Sequence, residues 1–283
     1  MTGRKLDMGA AWSSAMAMIG QNKDTVSAIV GLFYFLPYLA VGLLAPEAIN
    51  PQPGDGGAGG SPDAAAQAAI DQLSAAYADS WPMLLAVVIA QFIGSLSLLA
   101  LLGNPDSPTV GEALKRGLAA APAYFLVQVL SVLLVSLAIG IPLGVIMAAA
   151  PGIVGMIGVI AAMVVAVYLF VKFSLLGPVV AIEQVRNPIA ALQRSWRLTK
   201  GNSLRIAIFI FLLFLTIGIV SVLLSLVLGL VFALFSQGIA DIGNAVVASL
   251  VNAVLGVIFV VVLAAVHQQL AGPSGAQLAA TFE

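Results

Sequence analysis

The residues best placed to do chemistry are cationic. In "NPIAALQRSWRLTKGN", residues 187–202, Arg194, Arg197 and Lys200 fall close together, with Arg186 and Arg205 flanking them, in a chain that has only 11 Lys and Arg among 283 residues. Such a cluster can hold anionic groups, above all the phosphates of lipid headgroups. Asn187 can cap a helix, Pro188 suits its first turn and Gly201 suits its end. At helical spacing Ile189, Leu192, Ser195, Trp196 and Thr199 share one side, and Gln193, Arg194, Arg197 and Lys200 the other. Ala191 and Leu198 fall outside the apolar arc. The spacing predicts a helix over 187–200 that is too short and too charged to cross a bilayer. It should lie at the interface, Trp196 toward the acyl chains and the cations toward headgroups. Each cation near an anionic leaflet contributes roughly 1 kcal/mol. The candidate headgroup contacts are Lys115, Arg116, Arg194, Trp196, Arg197, Lys200 and Arg205. Read without a ligand, the same cations simply hold the loop on one side of the membrane.

Other chemistry finds little material. The acids Asp7, Asp24, Asp106, Glu112, Glu183 and Glu283 are scattered, whereas phosphodiester hydrolysis needs clustered carboxylates, a metal or a positioned His. The single His, His267, sits near the end of the last apolar run and is expected at the interface. There is no Cys, which excludes disulfides and thiolate metal sites. "GDGGAGG" opens no nucleotide-binding unit. No catalytic residue, metal, cofactor or nucleic-acid partner is expected.

Polar residues within the apolar runs are few. Gln91 and Ser95 share a face, as do Gln128 and Ser131, and Asn252 stands alone. They either join helices, at roughly 0.6–2 kcal/mol per hydrogen bond, or line a solute path. Lys172 either reaches the headgroups along its stem or is submerged. A submerged charge costs about 2.5–3.5 kcal/mol and needs a partner. Glu183 lies about 16 Å further along an unbroken helix, so the two meet only if the chain breaks at Gly177-Pro178.

The elements that must position these residues are long and apolar. The chain is 61% hydrophobic and 8% charged, with a mean hydropathy of +1.11; a soluble domain is about a quarter charged. Six runs reach the roughly 20 residues that cross a bilayer: about 25–46, 82–103, 119–149, from 153 to near Lys172, 204–235 and 244–270. The third and fifth run to about 46 Å, so they must tilt, kink or project, and Pro142 is a natural kink site. Arg4 and Lys5 are followed by a mixed segment, so the N-terminus does not read as a cleavable signal. With six spans all 11 cations fall on one side. Glu47, Asp55, Asp63, Asp71, Asp79 and Asp241 fall on the other. Basic residues stay cytoplasmic, which places both termini inside and the 47–81 loop outside. In that loop the Pro/Gly-rich "NPQPGDGGAGGSPD" should be flexible. A short surface helix should follow, capped by Ser61, with Ile70, Leu73 and Tyr77 on one face and Trp81 anchoring its end.

The basic pattern recurs. Glu112-Ala113-Leu114-Lys115-Arg116-Gly117 lines up with Ala190-Ala191-Leu192-Gln193-Arg194-Ser195, and "MGAAWSSAMAMIGQN" before the first span is a weaker copy. Three units of an interfacial helix and a two-span hairpin are expected, about 6–103, 108–183 and 187–271, within a single membrane domain over 1–283. Small residues (Gly140 and Gly144; Ser221, Ser225 and Gly229; Gly152, Gly155 and Gly158) predict close helix contacts within or between chains.

Lys172, Pro178, Glu183 and the run Ser195-Trp196, Leu198-Thr199-Lys200, Gly201-Asn202 give "LLGPVVAIEQVRNPIAALQRSWRLTKGN" a resemblance. It resembles the bacterial glycerophosphoryl diester phosphodiesterase membrane-domain family and that family's stand-alone inner-membrane relatives. The similar core covers about 30 residues. The resemblance implies an inner-membrane protein. It does not imply phosphodiesterase activity, which in that family belongs to a separate soluble domain, and the six spans leave these 283 residues no room for one.

The expected fold is all-α, with six transmembrane helices and three cytoplasmic interfacial amphipathic helices. The expected role is a non-enzymatic inner-membrane protein, either lipid-interacting or an accessory to envelope proteins. Its partners would be anionic membrane lipids, with a homo-oligomer or an envelope protein as further candidates. The alternative is a small transporter or channel for an apolar or amphipathic solute.

Overall fold

The computed structural model describes residues 5–46, 62–103, 109–149, 152–232 and 234–272. Among these every regular element is a helix. In chain order they are α1 Met8–Gln21, α2 Lys23–Leu44, α3 Pro62–Leu102, α4 Val110–Ala149, α5 Ile153–Phe173, α6 Leu176–Ala181, α7 Pro188–Thr199, α8 Ser203–Phe232 and α9 Gln237–Ala271. Six stretches are long and apolar enough to cross a membrane: α2, the latter part of α3 from Tyr77, α4, α5 with α6, α8 and α9. The protein is a multi-pass membrane protein.

Proline decides where several of these helices deform. Pro37 and Pro142 each follow a π-helical turn, Gly31–Phe35 and Ser136–Gly140. A proline lacks an N–H and clashes with the carbonyl four residues back. Those carbonyls belong to Phe33 and Ala138, inside the two widened turns, so the kink expected at Pro142 takes this form. Pro178 acts more strongly. Its clash falls on Ser174, and there α5 stops, turns at Ser174 and Leu175, and restarts as α6. Pro82 and Pro122 sit within continuous helix.

The chain forms two compact units. The first comprises Met1–Val26, Ser95–Thr216 and Ile258–Glu283. Its core holds Leu96, Leu101, Val127, Leu175, Val179, Ile206 and Val261, all almost fully buried. Five of the six residues of α6, Leu176 to Val180, are buried, α6 packs on α4, and α7 packs on α4, α5 and α6. The second unit comprises Ser27–Gly94 and Ile217–Val257. There Tyr34 is buried against two glycines: a Cβ on Gly94 would lie 2.6 Å from Phe33 Cβ, and one on Gly256 would collide with the Tyr34 ring. The Gln91 amide donates to Asn252 Oδ1 at 3.0 Å in this unit.

Several expectations change. Val110–Gly117 is not a separate interfacial helix but the first turns of α4. The segment that was to form a short surface helix is the start of the 41-residue α3, with Ile70, Tyr77 and Trp81 exposed. Its capping Ser61, the Pro/Gly-rich stretch up to that residue, and Asp55 lie outside the described residues. Gly140, Gly144 and Gly229 have open space where a Cβ would stand, so no close contact forms at them among the described residues. Gly158 does pack tightly, a Cβ there meeting Ile146 Cγ2 at 2.8 Å.

Candidate functional site: a braced basic elbow

The elbow between α5 and α8 is assembled by backbone breaks. After α6, Gln184 takes a left-handed φ of 55°, the only positive φ at a non-glycine among the described residues. Asn187 Oδ1 then accepts from the N–H groups of Ile189 (3.0 Å) and Ala190 (3.2 Å), capping α7 as its sequence predicts. At the far end Gly201 has a φ of 83°, a conformation that favours glycine, and the chain turns into α8.

The face that α7 buries keeps Leu192, Ser195 and Thr199 of the side its sequence groups together, gains Ala191 and Leu198, and leaves out Ile189 and Trp196. Ala191, Leu192, Ser195, Leu198 and Thr199 are buried, whereas Ile189 is 60% exposed and Trp196 38% exposed. The small Ala191 fits close approach, and of the two polar residues facing protein Ser195 hydrogen-bonds to another helix while Thr199 bonds within its own. Ser195 Oγ donates to the Lys172 carbonyl at 2.7 Å, satisfying an orphan acceptor at the end of α5. Thr199 Oγ1 donates back to the Ser195 carbonyl at 3.0 Å.

Glu183 ties three elements together. Arg194 on α7 grips it with two nitrogens, Nε to Oε2 at 2.8 Å and Nη2 to Oε1 at 2.9 Å. His267 Nε2 on α9 lies 2.9 Å from Oε1. Burial alone would raise the Glu183 pKa, but hydrogen bonds from His267 and Arg194, with their electrostatic pull, outweigh it and hold the carboxyl at about 2. The bond to Glu183 raises the Arg194 pKa in turn, burial opposing it. Arg194, expected to meet headgroups, has its guanidinium engaged by Glu183 and its side chain 34% exposed. His267 was expected at the interface; it is 2% exposed within the protein, and its Nδ1 has no hydrogen-bond partner among the described residues. Glu183 itself lies beyond the apolar helix rather than within it.

Lys172 is the outlier. It is 3% exposed. Its ammonium lies 5.1 Å from the Trp196 ring centroid and 5.4 Å from that of Tyr168. The two rings meet edge-to-face at 5.8 Å. Glu183 does not pair with it, being engaged by Arg194 and His267. Aromatic faces attract a cation, but they supply none of the oxygen acceptors that its three N–H groups prefer.

The remaining site residues are spread around this elbow. Arg197, Lys200 and Arg205 are exposed, and Arg205 Nη1 donates to the Leu6 carbonyl at 3.1 Å while Asn202 Oδ1 accepts from the Leu6 N–H at 2.9 Å. Gln269 and Asp7 exchange backbone and amide hydrogen bonds at 3.0 and 3.3 Å, and the Gln268 amide donates to the Leu102 carbonyl at 3.2 Å. Lys115 and Arg116 are exposed on α4, and Arg116 borders a cavity of about 200 Å³ with Arg186 and Gln184. Gln128 borders another of about 430 Å³ with Tyr124, Ser131, Phe170 and Phe259. Gln91 and Asn252 bond to each other, as interhelical links do. Sequence reasoning missed the part Asn202, Ser195 and His267 play in bracing the elbow. The available signal was their polarity in apolar surroundings, since buried polar groups need partners.

Among the described residues no group of three or more His, Asp or Glu could hold a metal ion. No protein-family model, curated protein or solved structure matches the chain.

Proposed function

We propose that this is a non-enzymatic bacterial inner-membrane protein whose basic elbow holds anionic lipid at the cytoplasmic face, with both termini on that side. The observation that carries this reading is the division of labour on α7. Arg194 is engaged inward by Glu183, while Arg197 and Lys200 stand exposed beside a half-exposed Trp196. Cations flanking an aromatic ring are the side chains that seat a helix among headgroups. The bracing keeps them in place before lipid arrives, which reduces the ordering lost on binding. The similarity of this elbow to the phosphodiesterase membrane-domain family agrees with such a place in the inner membrane.

A solute path has less support. Of the three polar residues that were to line one, Gln91 and Asn252 bond to each other in one unit and Gln128 borders a cavity in the other.

The test reconstitutes the full chain in nanodiscs of mixed phosphatidylglycerol and phosphatidylcholine and reads retained lipid by native mass spectrometry. Replacing Arg197 and Lys200 with Gln together should lower phosphatidylglycerol retention about tenfold or more, at roughly 1 kcal/mol per cation. Unchanged retention sinks the reading. The threading has its own check. The chain has no Cys, so Asp55→Cys provides a single thiol, and an impermeant reagent should label it from outside the cell.

A further inference from the structure

The ammonium of Lys172 occupies an unusual position for a cation. The side chain is 3% exposed, its ammonium is faced by the Tyr168 and Trp196 rings, and among the described residues no carboxylate lies within salt-bridge distance. A cation held against protein in this way is ordinarily paired. Among the described residues the charge balance around it is incomplete. Placement suggests what restores it. Helix α5 begins at Ile153 and reaches Lys172 after about 29 Å of apolar helix, close to the roughly 30 Å thickness of the hydrocarbon core. Counted from Ile153, Lys172 therefore stands about one hydrocarbon thickness along the helix, just before the turn at Ser174 and Leu175. Trp196, partly exposed, marks the same level from the α7 side.

We propose that Lys172, with Trp196 beside it, forms a binding site for one phosphate group, that of an anionic phospholipid. The phosphate oxygens accept the N–H groups that aromatic faces leave without acceptors. The Trp196 ring turns aside enough to admit the headgroup and packs on its glycerol backbone. Ser195 supports the site from behind, because its hydroxyl fixes the carbonyl of Lys172 and so ties α7 to the end of α5. The exposed face of α7 attracts the anionic leaflet generally, and this site selects one molecule from it. The inference rests on the lipid-binding reading above.

The experiment uses the full chain in nanodiscs with equal phosphatidylglycerol and phosphatidylcholine. On mild release, native mass spectrometry of the wild type should show one phosphatidylglycerol held more firmly than any other lipid. Lys172→Met, which keeps the length of the stem, should lower the occupancy of that molecule about fivefold, as expected for one cation at an anionic surface. Lys172→Arg should keep it. Two findings overturn the site: a wild type with no preferentially held phosphatidylglycerol, which requires no variant to fold, or a Lys172→Met protein that holds it as the wild type does. If Lys172→Met has no effect while the Arg197 and Lys200 double variant loses lipid, the site fails and the broader reading stands. If neither loses lipid, both fail. Inorganic phosphate separates the two sources of the group. In a Trp12→Phe, Trp81→Phe background, Trp196 fluorescence should respond to phosphatidylglycerol vesicles and not to millimolar phosphate; a response to phosphate alone overturns the assignment to lipid.

Discussion

The start of α4 and the whole of α7 carry similar sequences, yet the fold uses them differently. In α4 the segment is the first two turns of a 40-residue stretch of helix. Its end is closed by a capping box, Thr109 Oγ1 accepting from the Glu112 N–H at 3.4 Å and the Glu112 carboxylate accepting from the Thr109 N–H at 3.1 Å. Its tight contact is steric: a Cβ on Gly117 would lie 2.6 Å from Ser97 Oγ and 2.7 Å from the Ser97 nitrogen. In α7 the aligned position is Ser195, a hydrogen-bonding residue, and the acid that matters is Glu183, outside the helix. There the helix stops at Thr199, and Gly201 turns the chain. Similar basic patterns thus serve as a capped helix start in one place and as a cross-linked elbow in the other. What differs is whether the neighbouring contacts are shape or charge.

That contrast can be broken by substitution. The largest effect should come from Glu183→Leu, which leaves Arg194 without its carboxylate and His267 buried without a partner. We expect a loss of about 2 kcal/mol, read as a lowered thermal midpoint in detergent, below the range for a fully buried pair because Arg194 and Glu183 are partly exposed. In α4 the comparably sensitive position should be uncharged: Gly117→Ala should lower stability by about 2 kcal/mol through overpacking against the Ser97 backbone. If Glu112→Gln proves as damaging as Glu183→Leu, the contrast is lost.

Acid sharpens it further. The Glu183 carboxyl titrates near 2 in the folded chain against an ordinary 4.5. Its contribution is complete above about pH 4.5 and disappears as pH falls toward 2, because the unfolded chain then binds the proton that the folded chain resists. The thermal midpoint of the wild type should fall across that window, and Glu183→Gln should remove this component of the fall. An equal slope in both proteins would assign the acid sensitivity elsewhere.

Smaller effects should follow at the helix ends. Gly201→Ala should cost about 1 kcal/mol, because alanine resists the positive φ. Thr109→Ala should cost about 1 kcal/mol through the lost cap. Lys115→Gln, on the exposed face of α4, should change stability by less than about 0.5 kcal/mol.

Much of this was legible in the order of the residues. The six apolar stretches were, since length and hydropathy alone decide which helices can cross a bilayer. The caps of α7 were legible too, because Asn187, Pro188 and Gly201 act on backbone within a few positions of themselves. The buried face of α7 was legible only in part. Spacing grouped Leu192, Ser195 and Thr199, which are buried, with Ile189 and Trp196, which are exposed, and left out Ala191 and Leu198, which are buried. In a membrane an apolar side chain is equally at home facing lipid, so small size and hydrogen bonding decide which face meets protein.

By itself, then, the sequence determined local matters and those averaged over a helix: where the spans run, where proline deforms them, and where α7 starts and stops. Tertiary structure alone decided which charges meet. Glu183 lies 84 positions from His267 and Leu6 lies 196 from Asn202, and no helical period links such pairs. The chain does break ahead of Pro178, yet Glu183 rests with Arg194 and His267 and the lysine lies among aromatic rings, because packing of distant helices, and not the local chain path, selects the partners.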